Sequence, residues 1–206
     1  MSDFTYEKDD RKKALEKYEW DNVWIDNADD LSFKRVLYIG DSISCGTRRK
    51  ATLSVNEEIL FDGFGTSKAV DNPYFKDSLK LFGAQEGRRD AVIFNNGLHG
   101  FHLKDSTEYK ECYEKMVKFL LEEFKGTPLF IVLTTHVADE NRNERVILRN
   151  KAAMEIAEKY GLKTIDLYSV SLEHENLLQN DGVHFTDEGY EKLAAELVKS
   201  VKDVIL

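Results

Sequence analysis

The chain has 206 residues, 42% of them hydrophobic and 33% charged, which suits one soluble globular domain with room for a full core. Its 29 basic residues are outnumbered by 38 acidic ones, and the net charge of -9 repels phosphate backbones and anionic membrane surfaces, so neither nucleic acid nor a membrane is expected as a partner. Cys45 and Cys112 are too few for a disulfide framework and lack metal-ligand spacing, and no apolar N-terminal run reads as a leader, so the expected location is the cytoplasm unless a leader was removed.

Residues 1–32 read as an N-terminal arm packed on a domain of residues 33–206. Residues 1–17 are polar, with a short helix expected over 8–18, and the following Y-E-W-D-N-V-W-I-D-N packs Tyr18, Trp20, Val23, Trp24 and Ile25 too closely for a flexible tail. Lying on the outside of the domain, such an arm fills an edge with its tryptophans.

Val36, Leu37, Tyr38 and Ile39 form a short, partly β-branched run closed by Gly40, a buried strand that ends where the backbone turns sharply. Asp41 and Ser42 follow at once. In an open α/β sheet the carboxyl ends of strands face the ligand crevice, which makes Ser42 a candidate nucleophile. A helix is expected over 43–50, a second strand over 58–62, and a glycine-rich loop, G-F-G-T-S, over 63–67. Tyr74, Phe75, Leu79, Leu81 and Phe82 then recur at helical spacing and predict a packing helix over 74–85.

The third strand, 91–94, ends in N-N-G-L-H-G. A long amphipathic helix over 104–125 precedes a fourth strand, 129–133, whose end carries T-T-H-V and so brings His136 to the crevice, where a structural histidine is the commoner reading. Residues 141–160 predict a helix capped at Asn141 or Asn143 and stopped by Gly161, with Arg142, Arg145 and Asn150 on a solvated face. A fifth strand over 162–167 leads through an irregular turn, 169–178, with His174 exposed. The last helix is capped by Thr186, with Asp187 and Glu188 in its first turn.

A hydroxyl needs a base held by a third group. Among five histidines, D-G-V-H-F places Asp181 three residues before His184, so that Asp181 accepts from one ring N–H and the other nitrogen faces the crevice. Gly40 and Gly46 are one residue too far apart for a phosphate-binding loop, and a metal site from Asp41, Asp181 and His184 has no second-shell pattern. No metal and no cofactor are expected. Strands alternating with helices give a flavodoxin-like three-layer α/β/α fold with a five-stranded parallel sheet in the order 2-1-3-4-5.

G-D-S after the first strand, glycines after the second, Gly-Leu-His after the third and D-x-x-H before the last helix resemble the blocks of the SGNH (GDSL-type) esterases and lipases, over residues 34–206. The F-N-N-G-L-H and N-R-N-E-R-V stretches resemble carbohydrate acetylesterase-like members most. The resemblance implies a Ser42–His184–Asp181 triad and an oxyanion hole from the backbone N–H groups of Ser42 and Gly65, the latter preferred to Gly63. Where the family reads Gly-x-Asn-Asp, His99 falls on the asparagine position, so the side-chain donor is His99 or Asn96, with His99 preferred. Asp41, His136 and Trp24 are candidate substrate contacts, with Trp20 or Trp24 as a flat platform for a sugar ring.

The function implied is hydrolysis of a short acyl ester, acetyl first, on a small molecule or oligosaccharide. The alternatives are a lipase or lysophospholipase, an acyltransferase on the same scaffold, or a carbohydrate-binding protein without turnover, and assembly is left open.

Overall fold

In the computed structural model, which describes residues 14–206, the organising strand is β2 (Lys34–Gly40), whose last six residues are all buried. A run buried on both faces is what a central parallel strand requires. It pairs in parallel with β3 (Ile59–Thr66) on one side and β4 (Ala91–Phe94) on the other, and β5 (Leu129–Val132) and β6 (Lys163–Ile165) continue the sheet. The five parallel strands therefore stand in the expected order. A sixth strand, β1 (Asp21–Trp24), pairs antiparallel with the outer side of β3, giving β1-β3-β2-β4-β5-β6.

The arm thus contributes an edge strand as well as packing. All four of its residues are exposed, so it carries no hydrophobic alternation. The part of the expected 8–18 helix that is described, 14–18, is irregular; the remainder lies outside the described residues.

Helices α1 (Ser42–Ser54) and α6 (Asp187–Ile205) cover one face of the sheet, and α2 (Phe75–Glu86), α3 (Ser106–Glu123) and α4 (Glu140–Tyr160) pack toward the other. Each face has its own apolar cluster: Val36, Tyr38, Phe61 and Ile93 meet Leu193, Leu197 and Val201, while Leu37, Ile39, Val92 and Phe94 meet Leu79, Tyr113, Val117 and Ile156. The alternation along β2 is the period-2 pleat feeding both layers. Among the described residues no helix is long and apolar enough to cross a membrane.

Four local expectations are corrected. The loop expected over 63–67 is strand as far as Thr66, because Gly63 and Gly65 leave room for the side chains of Arg48 and Cys45. Tyr74 and Leu81, expected to pack, are exposed. Helix α4 is capped by Asp139, whose side chain accepts from the Arg142 N–H, rather than by Asn141 or Asn143. The segment 169–178 is mostly ordered, as helix α5 (Leu167–Glu173) followed by a 3-10 turn, with Asp166 capping it and His174 half-buried.

Candidate active site

Ser42 is the first residue of α1, immediately beyond the carboxyl end of β2. Gly40 makes the turn possible, since a Cβ there would come within 2.8 Å of Ser44 Cβ. As an N-terminal helical residue, Ser42 has a backbone N–H without an acceptor in its own helix, and the helix dipole favours negative charge at that end.

The imidazole comes from the far end of the chain. His184 Nε2 lies 2.8 Å from Ser42 Oγ, and its Nδ1 lies 2.7 Å from Asp181 Oδ2. The other Asp181 oxygen accepts from the backbone N–H groups of Val183 and His184, each at 2.9 Å. Burial pushes the Asp181 carboxyl up, but these three hydrogen bonds outweigh it and hold the group down at about 2. An ionised carboxylate can only accept, so the proton on that side belongs to Nδ1, and the neutral ring leaves Nε2 to accept from the Ser42 hydroxyl.

The loop is held from outside as well. Gly182 adopts a left-handed φ of +70°, its carbonyl accepts from the Ala138 N–H at 2.8 Å, and Leu178 bridges Phe185. Phe185, 1% exposed, is seated against Tyr190 of α6 and anchors the neighbouring His184 at the surface.

Asp41, a candidate substrate contact, is enclosed in the fold. It is 1% exposed and caps α1, with Oδ1 accepting from the Ile43 N–H at 2.9 Å. Burial raises its pKa to about 6, against the pull of that hydrogen bond and of nearby His184. A raised acid favours the folded state most when protonated, so its contribution is complete below the ordinary carboxylate value near 3.8 and is lost as pH rises through about 6. The difference corresponds to about 3 kcal/mol. Asp41→Asn keeps the capping oxygen and removes the charge. Its urea midpoint should therefore exceed the wild-type value at pH 8 by more than it does at pH 4.5, and an equal difference at both pH values would contradict this account.

The two side chains considered for the oxyanion are separated by their surroundings. Asn96 is buried, its side-chain amide donates to Lys68 O at 2.8 Å, and its backbone carbonyl accepts from the Tyr109 hydroxyl. His99 lies in the same loop after β4, with its ring edge-on to Trp20 at 6.2 Å and Nδ1 4.0 Å from Glu16 Oε1. Gly65 sits inside β3 between Gly40 and Asn22, and its missing Cβ accommodates Cys45.

Trp24 lies beside Gly63, toward the opposite end of β3 from Thr66, 53% exposed, with its indole N–H on Asp26. Trp20, which precedes β1 at the crevice end and exchanges backbone contacts with Ser67, is the tryptophan that approaches the His99 loop. His136 packs edge-on to Tyr168 at 6.2 Å and donates its backbone N–H to Ser171 Oγ, a placement between β5 and α5. Among the described residues no group of three or more His, Cys, Asp or Glu is placed to hold a metal ion.

Sequence patterning missed two contributors. Glu16, from the arm, accepts the Gly100 N–H at 2.9 Å. Arg149 is 2% exposed and donates to the carbonyls of Gly97, His99, Gly100 and Leu103. The signal for Arg149 is its place on the buried stripe Val146, Arg149, Ala153, Ile156.

No family model and no curated protein matches the sequence. Solved structures do. A lipase/acylhydrolase from Enterococcus faecalis superposes with a TM-score of 0.67 at 19% identity, covering 84% of this chain and 98% of that one. A carbohydrate acetylesterase from Sinorhizobium meliloti gives 0.66 at 14% identity, covering 83% and 99%. The catalytic domain of the peptidoglycan O-acetyltransferase A of Streptococcus pneumoniae gives 0.65 at 16% identity, covering 84% and 94%. With a serine at the end of β2 and an Asp-x-x-His loop before the last helix, the chain has the fold of the GDSL-type (SGNH) lipases, acylhydrolases and acetylesterases.

Proposed function

We propose that the protein is a serine esterase that removes a short acyl group, acetyl first, from an oxygen of a carbohydrate-like polyol. The observation that carries this reading is the continuous line of hydrogen bonds from Ser42 Oγ through the His184 ring to Asp181. A protein that only binds its ligand has no need of a hydroxyl, an imidazole and an ionised carboxylate in that order. The acetyl and sugar parts are supported by the likeness to an acetylesterase and an O-acetyltransferase.

In this mechanism His184 Nε2 takes the Ser42 proton as Oγ attacks the ester carbonyl, and Asp181 stabilises the imidazolium that forms. The oxyanion is met by the Ser42 N–H at the start of α1 and by a side-chain donor, for which His99 is preferred, since the Asn96 amide is committed to Lys68. His184 returns the proton to the departing alcohol, leaving an acyl-serine. Water, activated by the same imidazole, attacks this ester and releases the acid and the free serine.

A fluorophosphonate probe followed by peptide mass spectrometry tests the reading directly. The adduct is expected on Ser42 and is expected to disappear in His184→Ala. An adduct elsewhere, or none, would remove the esterase. A series of p-nitrophenyl esters should favour acetyl, and a preference for eight carbons or more would replace the short-acyl reading with a lipase. Product analysis with an added sugar acceptor separates hydrolysis from transfer.

A further inference from the structure

The loop of residues 97–103 carries His99, and its backbone is gripped by one buried cation. Arg149 Nη1 donates to Gly97 O at 3.0 Å and to His99 O at 2.6 Å, and Nη2 donates to Gly100 O at 2.7 Å and Leu103 O at 3.3 Å. Two aromatic rings close over the guanidinium, Tyr109 at 4.4 Å and Phe101 at 6.0 Å from Cζ. On the opposite polarity, Glu16 Oε1 accepts the Gly100 N–H. Nothing on the surface requires this arrangement, and withdrawing a guanidinium from water is costly unless its donors are satisfied.

The cost has a return at the cleft. The loop follows β4, whose Phe94 lies beside Ile39 in β2, and β2 leads directly to Ser42. Four carbonyls turned inward onto one rigid planar fork fix the path of the backbone on both sides of His99, which a flexible glycine-flanked loop would not do for itself. An oxyanion donor is effective only if its position is set before the charge develops.

We infer that Arg149 is a positioning residue that fixes the His99 imidazole as oxyanion donor, acting through the loop carbonyls and never touching substrate. This inference rests on the esterase reading above. Lysine at this position keeps the charge and most of the stem but replaces the planar fork by a single point donor.

The test is a cycle of Arg149→Lys and His99→Ala, each measured for kcat and KM with p-nitrophenyl acetate. Losing one oxyanion donor typically lowers the rate by about 10²- to 10³-fold, so displacing it is expected to cost about 10- to 100-fold in kcat. Arg149→Lys should show that loss with KM within about threefold of wild type, and less than about threefold further loss in the His99→Ala background. A general packing defect would give the same loss in both backgrounds, and that result would overturn the inference. So would a change confined to KM, an unchanged kcat in Arg149→Lys, or an unchanged kcat in His99→Ala. Should the lysine variant fail to fold, Arg149→Gln, with two N–H donors and no charge to bury, takes its place in the cycle. Fluorophosphonate labelling of the wild type keeps the two readings apart: no Ser42 adduct means that the esterase reading has failed, whereas an adduct with additive losses removes only the role of Arg149.

Discussion

Ser42→Ala is expected to lower kcat for p-nitrophenyl acetate by about 10⁴- to 10⁶-fold while leaving the thermal midpoint within a few degrees of wild type. The size follows from what the hydroxyl does. In the proposed mechanism its oxygen forms the acyl bond, and no neighbouring group can take over: Ser44 Oγ donates to Asp41 O at 2.6 Å inside the helix, and Cys45 is turned toward Gly65. The small effect on stability follows from what the hydroxyl does not do. Its hydrogen bond is to His184, whose side chain is 37% exposed and finds water when the serine is gone. Residual turnover from the remaining oxyanion donors and from binding should stay near 10³- to 10⁴-fold above the uncatalysed rate. A variant within tenfold of wild type would place the nucleophile elsewhere.

The largest loss of stability is expected at the opposite end of the sheet, from Asp62→Ala. Arg35 is fully buried in β2, and its two terminal nitrogens donate to Asp62 Oδ2 at 2.8 Å and to the carbonyls of Asp26, Asn27 and Asp30. The second oxygen of Asp62 accepts the Asp26 N–H at 2.8 Å, so one pair fastens the turn between the arm and the domain. Burial raises the Asp62 pKa, with Arg35 pulling against it. Deleting the acid leaves a buried cation without its counter-ion, a change that typically costs about 3–5 kcal/mol. For a chain of this size that is a fall in Tm of about 6–20 °C, read by circular dichroism. A change of less than about 1 kcal/mol would mean that water or another acid reaches Arg35 unaided.

The grouping of Ser42, His184 and Asp181 was legible because such an arrangement needs short local spacings. An Asp three residues before a His, with a glycine between them, can close only a tight turn, and a serine after V-L-Y-I-G-D can only begin a helix. The five parallel strands were legible for a related reason: residues buried on both faces, such as Val92 and Ile131, leave continuous apolar runs. Other features carry no such imprint. Strand β1 is held by the backbone of β3 and by polar side-chain bonds to Lys68, Thr66 and Arg48, and its residues are exposed, so hydropathy is blind to it. Gly63 and Gly65 look like turn residues, and the reason they are strand lies in Arg48 and Cys45, far away in sequence terms from any local rule. Asn150, expected on a solvated face with Arg142 and Arg145, is buried, with its side-chain amide paired to the Thr134 backbone, and Arg149, which charge patterning passes over, lies on the apolar stripe of α4. Asp41 is the reverse case: a polar residue beside a nucleophile suggests contact with ligand, whereas its burial makes it a helix cap.

The bond between Ser42 and His184 joins residues 142 positions apart. During synthesis the ribosome delivers β2, the hydroxyl and most of the sheet well before the Asp-x-x-His turn emerges, and that turn is steadied by Phe185 against α6. On the proposed mechanism, a nascent polypeptide already collapsed around its central strands stays chemically inert until its closing segment docks. The proposed activity would in that sense report on complete folding, and a C-terminal truncation that spares every strand should still give a silent product.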